Sequence, residues 1–255
     1  MEGVLILNKP AGITSHDACD KVKTILNIKK VGHAGTLDPM VTGVLVIALE
    51  NSTKALRLFN GLNKTYQGIG HLHEDVPLEK LKQVIQKKFM GKIKQTPPKR
   101  SRVKREERER EIFEFNILKK EGKNFEFLVS CQAGTYIRKL IDDLGKEMNI
   151  GAHMASLHRT MQGPFSDKES IKVEDLKDGK KLEKSLISLE QAAKRLNTKI
   201  LDVDDKEEQD LKFGKSLKRD LYLKEGEIGV AINSKNQVVA LIKREDNLIR
   251  TERFI

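Results

Sequence analysis

The segment Gly32-His33-Ala34-Gly35-Thr36-Leu37-Asp38-Pro39, continued by Met40-Val41-Thr42-Gly43-Val44-Leu45, sets one carboxylic acid in a tightly constrained stretch of chain. Gly32, Gly35 and Gly43 open backbone angles closed to other residues, and Pro39 fixes its own φ and withholds an amide donor directly after Asp38. The apolar run at residues 44–49 reads as a buried strand, so the carboxylate is anchored from behind. The loop therefore reads as catalytic, with Asp38 as its reacting group. An isolated Gly-x-x-Asp-Pro would read as an Asx-type turn between strands; the whole string favours the chemical reading.

The surrounding chain has to supply the elements that hold this loop. Residues 3–7 read as a short apolar strand, and Thr14 or Ser15 can cap a helix whose apolar face is Ala18, Val22, Ile25 and Leu26. Asp17, three residues beyond Thr14, makes an acidic version of the capping box. Residues 65–73 read as a strand, 78–89 as an amphipathic helix, and 113–119 with 125–131 as a hairpin turning at Gly122-Lys123. Ile137, Leu140, Ile141, Leu144 and Met148 keep a helical spacing, which sets Arg138 on a different face from the core stripe, able to point into a cleft. Strands and helices alternate without βαβ regularity, which predicts an α+β fold on a mixed, mainly antiparallel sheet. Beyond a polar region at 167–185 and a short helix at 189–196, brief strands at 228–233, 238–243 and 248–254 mark a second unit. The expected domains are 1–196 and 197–255.

Composition limits the partners. Lys and Arg number 48 against 37 Asp and Glu, a net charge of +11 with an isoelectric point near 9.5, so the chain attracts polyanions such as RNA. Residues 196–255 carry 12 basic and 12 acidic side chains, which leaves 36 against 25 in residues 1–195 and puts the whole excess there. The densest basic run, residues 99–110, holds seven Lys or Arg and three acids and reads as an RNA-contacting loop. Cys19 and Cys131 have no paired spacing for zinc or a disulfide framework; packing roles in a reducing, cytoplasmic setting are expected. No apolar run spans a membrane, so no membrane partner is expected. His71 and His73 share a strand face without a third ligand in their block and read as structural, and Gly214-Lys215-Ser216 lacks the upstream glycine of a P-loop. The glycosylation sequons at Asn51 and Asn63 are irrelevant in a cytoplasmic protein.

The Asp38 segment resembles the defining motif of RNA pseudouridine synthases of the TruB and dyskerin type, and four further blocks agree in order. Asn8-Lys9-Pro10-Ala11-Gly12-Ile13-Thr14-Ser15 is similar to that family's N-terminal motif, and Lys64-Thr65-Tyr66 to its strand with a substrate-stacking tyrosine. Ala133-Gly134-Thr135-Tyr136-Ile137-Arg138 resembles the arginine motif. Leu157-His158-Arg159-Thr160 with Gly163-Pro164-Phe165 resembles the block whose leucine lines the uracil pocket. The resemblance implies the pseudouridine synthase fold followed by a small PUA-like β-barrel of about sixty residues. It also implies a reaction: the uridine N1–C1′ bond breaks, the uracil turns, and C5 is joined to C1′, with no cofactor and no metal. Asp38 would act as nucleophile or base at the sugar. Glycoside hydrolysis would instead need a second carboxylate across the bond, and no other acid accompanies Asp38 within its motif.

By the same resemblance, Arg138 would hold Asp38 in a bidentate ion pair, with a pair to Asp142 at i+4 as its competing role. Tyr66 would stack the extruded base and Leu157 would line its pocket. His33 would help fill the space the base leaves, or else serve as a loop hydrogen-bonding residue. Lys9, Lys99, Arg100, Arg102 and Lys104 are expected to contact RNA. Residues 71–77 and 96–105 resemble the archaeal and eukaryotic dyskerin branch, the catalytic subunit of H/ACA guide particles. The start of the chain close to its first motif and the short C-terminal unit resemble instead the stand-alone bacterial enzymes. The leading expectation is thus an archaeal H/ACA catalytic subunit acting on rRNA and tRNA, with guide RNA and small accessory proteins as partners. The alternative is a stand-alone enzyme modifying the TΨC-arm uridine of tRNA. A non-catalytic RNA-binding module is disfavoured by the joint presence of Asp38, Tyr66 and Arg138.

Overall fold

The first strand, β1 (Gly3–Lys9), is apolar through its centre and buried on both faces, as an internal strand must be. The computed structural model in which it sits describes residues 1–97, 104, 106–219 and 222–255. Helix α1 (Ser15–Leu26) starts at Thr14, whose hydroxyl accepts from the Asp17 amide while the Asp17 carboxylate accepts from the Thr14 amide. It stops at Asn27 in the left-handed region, φ 49°. Strands β2 (Val31–Ala34) and β3 (Thr42–Leu49) bracket the Asp38 loop. A 3₁₀ helix, Glu50–Phe59, leads to β4 (Lys64–Leu72), α2 (Leu78–Lys88) and β5 (Gly91–Gln95). The expected hairpin follows as β6 (Arg108–Glu121) and β7 (Asn124–Cys131), and after it α3 (Ile137–Glu147), β8 (Ala152–Gln162), β9 (Phe165–Ser166) and β10 (Ile171–Lys172). Two short helices, α4 (Gly179–Ser185) and α5 (Leu189–Arg195), close this part.

These ten strands form one sheet in the order β10-β1-β3-β8-β4-β7-β6-β5, with β2 added to β3 and β9 to β8. The β10–β1 and β3–β8 pairings are parallel and the others antiparallel, giving the mixed, mainly antiparallel α+β architecture that the alternation of elements predicts. Strand β8 is not announced by its own sequence, which has one β-branched residue, Thr160. It becomes a strand because β3 and β4 flank it and take up its backbone donors and acceptors. One sheet face carries α2 and α3: Leu81, Ile85, Ile137, Leu140, Ile141 and Leu144 pack on Phe125, Phe127 and Val129. Leu37 and Val41, on either side of Asp38, belong to the same cluster, so the Asp38 loop is rooted in the core. Among the described residues no helix is long and apolar enough to cross a membrane.

The C-terminal unit contains β11 (Ile200–Asp202), α6 (Asp205–Lys212), β12 (Ile228–Ile232), β13 (Val238–Glu245) and β14 (Leu248–Phe254). Its strands line up as β11-β12-β13-β14, an open four-stranded sheet among the described residues where a closed barrel was expected. One face of this sheet has its own core, in which Leu211, Leu217, Ala231, Ala240 and Ile242 are buried together; the other face does not. Val230, Ile232, Val238 and Leu241 join Val4, Ile6, Val44, Val46, Phe59 and Phe165 in one buried cluster. Arg57 of the 3₁₀ helix pairs with Glu252 of β14 across the same junction.

Candidate active site

The Asp38 loop is shaped from below. Gly35 and Gly43 have φ of +83° and +100°, and a Cβ on Gly43 would stand 2.3 Å from the Arg159 carbonyl oxygen, so this crossing of β3 and β8 requires glycine. Gly32 is bare for a different reason from the one its spacing suggests: its φ is not positive, and the Leu56 side chain occupies the place of a Cβ, 2.7 Å away. The Ser15 hydroxyl both donates to the Leu37 carbonyl and accepts from the Leu37 amide, joining α1 to the loop. Lys9, expected to contact RNA, is 0% exposed. Its ammonium donates to the carbonyls of Pro10, Ile13 and Pro39, at 2.7, 2.8 and 3.1 Å, so its three protons are engaged by backbone and it clamps the loop immediately after Asp38. Burial, and the Arg159 charge after it, lower the Lys9 pKa.

Arg138 stands in the first turn of α3, and its Nη2 donates to Asp38 Oδ2 at 2.5 Å across 100 residues of sequence. The competing partner, Asp142, pairs instead with Lys146, also at 2.5 Å, and with Lys139. Both members of the Arg138–Asp38 pair are about half exposed, so water screens the attraction; the contact orients the carboxylate more than it stabilises the fold. The site is open to a large substrate.

Beneath it lie Tyr66 and Leu157, each 8% exposed, while Phe127 and Val129 on the neighbouring strand are fully buried. Tyr66 pairs with Arg159 across β4 and β8, and its hydroxyl interacts with the guanidinium there. Burial raises the Tyr66 pKa and lowers that of Arg159. Lys64, on the same face of β4, donates to the Leu62 carbonyl at 2.5 Å, and burial, helped by the Arg159 charge, draws its pKa down to about 8. Gln162 donates to the Ala34 carbonyl at 3.0 Å. Arg159, Lys64 and Gln162 escaped the sequence reading as site residues. Lys64 shares the two-residue parity of Tyr66 and Arg159 stands in the block that contains Leu157, so each had a local signal; Gln162 had none, because its strand carries no strand pattern of its own.

His33 sits in β2 opposite Ile47 rather than in the loop, partly buried, and its Nδ1 has no hydrogen-bond partner among the described residues. Burial, followed by the Arg159 charge, lowers its pKa. Lys99, Arg100 and Arg102 lie outside the described residues; Lys104 is exposed and pairs with Glu106. Cavities of about 340 and 520 Å³ flank α1, the first lined by His16, Lys23, Lys29 and Lys30, and neither contains Asp38. The structure brings His153 to within 5.0 and 5.4 Å of the His71 and His73 rings, a neighbour invisible from the local block. Among the described residues no group of three or more His, Cys, Asp or Glu side chains is disposed to hold a metal ion. Cys19 and Cys131 are buried and free, and burial pushes both thiols up to about 11.

One mixed sheet thus holds a loop carboxylate against an arginine, over a tyrosine and a leucine. The chain belongs to the TruB family of pseudouridylate synthases: the family's N-terminal domain matches residues 23–137, and the tRNA pseudouridylate synthase B C-terminal domain matches residues 138–205. It is 50% identical over 178 residues to a probable tRNA pseudouridine synthase B of Methanopyrus kandleri, an alignment covering 70% of this chain and 52% of the relative. The chain thus spans about half the length of the curated relatives it matches. Its fold is similar to that of a chain in a Cbf5-Nop10-Gar1 complex, with TM-score 0.85 and 37% identity, covering 94% of this chain and 78% of that one. It is also similar to a chain of an H/ACA RNP bound to a substrate RNA containing 2′-deoxyuridine, with TM-score 0.85, 32% identity, and coverage of 99% and 84%.

Proposed function

We propose that this protein isomerises uridine to pseudouridine in structured RNA. The observation that carries the proposal is the Asp38–Arg138 contact, which orients a carboxyl group above an apolar floor. Asp38 acts at C1′ of the target nucleotide as nucleophile or base; Arg138 fixes its direction; the extruded uracil lies against Tyr66 and Leu157. The N1–C1′ bond breaks and C5 bonds to C1′; C5 gives up its proton to solvent and N1 takes one up, so atoms balance without an external reagent. Tritium release from C5-labelled RNA measures the step directly. Asp38→Asn is expected to release none while binding RNA as the parent does, and substantial turnover by that variant would refute the site.

The leading reading of the biological setting is the catalytic subunit of an archaeal H/ACA guide particle. The similar solved structures named above, a Cbf5-Nop10-Gar1 complex and an H/ACA RNP with substrate RNA, support it at 32–37% identity over nearly the whole chain. In this reading residues 1–196 are the catalytic unit, and the four-stranded sheet within residues 197–255 is a PUA-like module. A second reading, a stand-alone tRNA enzyme, is favoured by the name its curated relatives carry. Pseudouridine mapping separates the two: conversion of an rRNA fragment only with a matching guide and the small accessory proteins supports the first. Rapid guide-free conversion of a bare tRNA transcript supports the second.

A further inference from the structure

Arg159 is among the largest side chains fully withdrawn from solvent, at 1% exposure. Its partners are not carboxylates. Nε donates to the Val44 carbonyl at 2.6 Å and Nη2 donates to the Gly35 carbonyl at 2.8 Å, and Tyr66, whose hydroxyl interacts with the guanidinium, is its cross-strand neighbour. A cation buried among neutral acceptors is costly, and an apolar residue would fill the same space at lower cost. The three anchor points are specific to the site. Gly35 lies three residues before Asp38, Val44 lies six after it, and Tyr66 faces Arg159 in the adjoining strand. The guanidinium therefore spans both ends of the Asp38 loop and reaches the tyrosine. Gly43 leaves room for this strand: a Cβ there would stand 2.3 Å from the Arg159 carbonyl oxygen and 2.8 Å from its amide nitrogen.

We propose that Arg159 is a positioning residue for the isomerisation: it ties the hydroxyl of Tyr66 to the backbone of the loop carrying Asp38, so that tyrosine ring and carboxylate keep a fixed relation. This rests on the reading of Asp38 and Tyr66 as site residues. A side chain that only filled the core would set how much protein folds. One that sets geometry controls the rate of the folded fraction.

The test is a double-mutant cycle in single-turnover tritium release, with amplitude, rate constant, RNA affinity and thermal midpoint recorded for each protein. Tyr66→Phe, which removes only the hydroxyl, is expected to slow the rate constant roughly tenfold. Arg159→Gln is expected to slow it about a hundredfold at unchanged RNA affinity. Because both break one connection, Tyr66→Phe combined with Arg159→Gln should be no slower than Arg159→Gln alone, within about twofold. Rate effects that multiply, or a loss confined to amplitude, would overturn the proposal. Should Arg159→Gln fail to fold, Arg159→Lys, which keeps the charge but not the fork, completes the same cycle under the same criteria. Asp38→Asn is the control. If it is inactive and the effects multiply, Arg159 alone loses its role; if it is active, the site reading falls and the Arg159 proposal with it.

Discussion

Asp38 and Arg138 meet at 2.5 Å in half-exposed surroundings, and this combination separates what the pair does for chemistry from what it does for stability. A single Nη2–Oδ2 contact stands where a bidentate pair was expected; Arg138→Lys keeps the charge but not the planar group that makes it, so activity should fall at least tenfold while unfolding stability changes by less than about 1 kcal/mol. Paired turnover and urea-unfolding measurements check both halves. Lys64 offers a prediction of another kind. Its folded pKa is about 8 against an ordinary value of 10.5, so between those pH values the unfolded chain binds a proton that the folded one does not. Stability from this group should therefore rise with pH across that window. Cys19 and Cys131, raised to about 11 from 9.0, act in the opposite sense above pH 9. The urea midpoint of the parent minus that of Lys64→Met, followed from pH 7 to 10.5, isolates the lysine and should climb; a flat difference would sink the assignment.

Among the elements, the crossing of β3 and β8 bears most directly on the site because it sets Arg159 under the Asp38 loop. The parallel contact is short, Thr42 with His158 and Gly43 with Arg159, and is reinforced by the Thr42 hydroxyl and His158 Nδ1 at 2.7 Å. Gly43→Ala would force a left-handed alanine and drive its Cβ toward the Arg159 carbonyl. We expect a loss on the order of 3 kcal/mol in equilibrium unfolding, with activity falling further than stability alone explains. Thr14→Ala supplies the contrast: it removes the cap of α1, far less central to the site, and should cost about 1 kcal/mol while turnover of the folded protein persists.

For the whole molecule, the merged core and the uneven charge make separate demands. Leu241 of β13 is fully buried in the cluster that also contains Val4, Val44 and Phe165. Leu241→Ala should therefore cost about 2–5 kcal/mol and lower the midpoint reported by probes in both sheets, rather than loosening the C-terminal unit alone. The basic excess lies in residues 1–195 and is densest at 99–110. Changing Lys99, Arg100, Arg102 and Lys104 together to Gln should flatten the salt dependence of RNA binding by up to roughly 0.7 log-log units per lost phosphate contact. An unchanged slope would return that run to an ordinary solvated surface.

Local sequence was sufficient wherever local physics decided the outcome. The capping box at Thr14 and Asp17, the helical stripe from Ile137 to Met148, the turn at Gly122-Lys123 and the apolar run of β3 depend on neighbours a few residues apart, and each appears where its pattern places it. Asp38, Tyr66 and Arg138 could be singled out for the same reason, since each stands in a distinctive short block. What needed the tertiary structure was everything set by distant partners. Lys9 looks like an RNA-binding lysine until the Pro39 carbonyl, 30 residues away, closes over it. Strand β8 has no strand pattern of its own until β3 and β4 bracket it, and so Arg159 had no visible reason to be charged. The second sheet appears separable in sequence, yet only one of its faces has a core of its own, and the other finds apolar cover on the first sheet. Burial and hydrogen-bond satisfaction are properties of the folded surroundings, and a one-dimensional pattern records them only when those surroundings are themselves local.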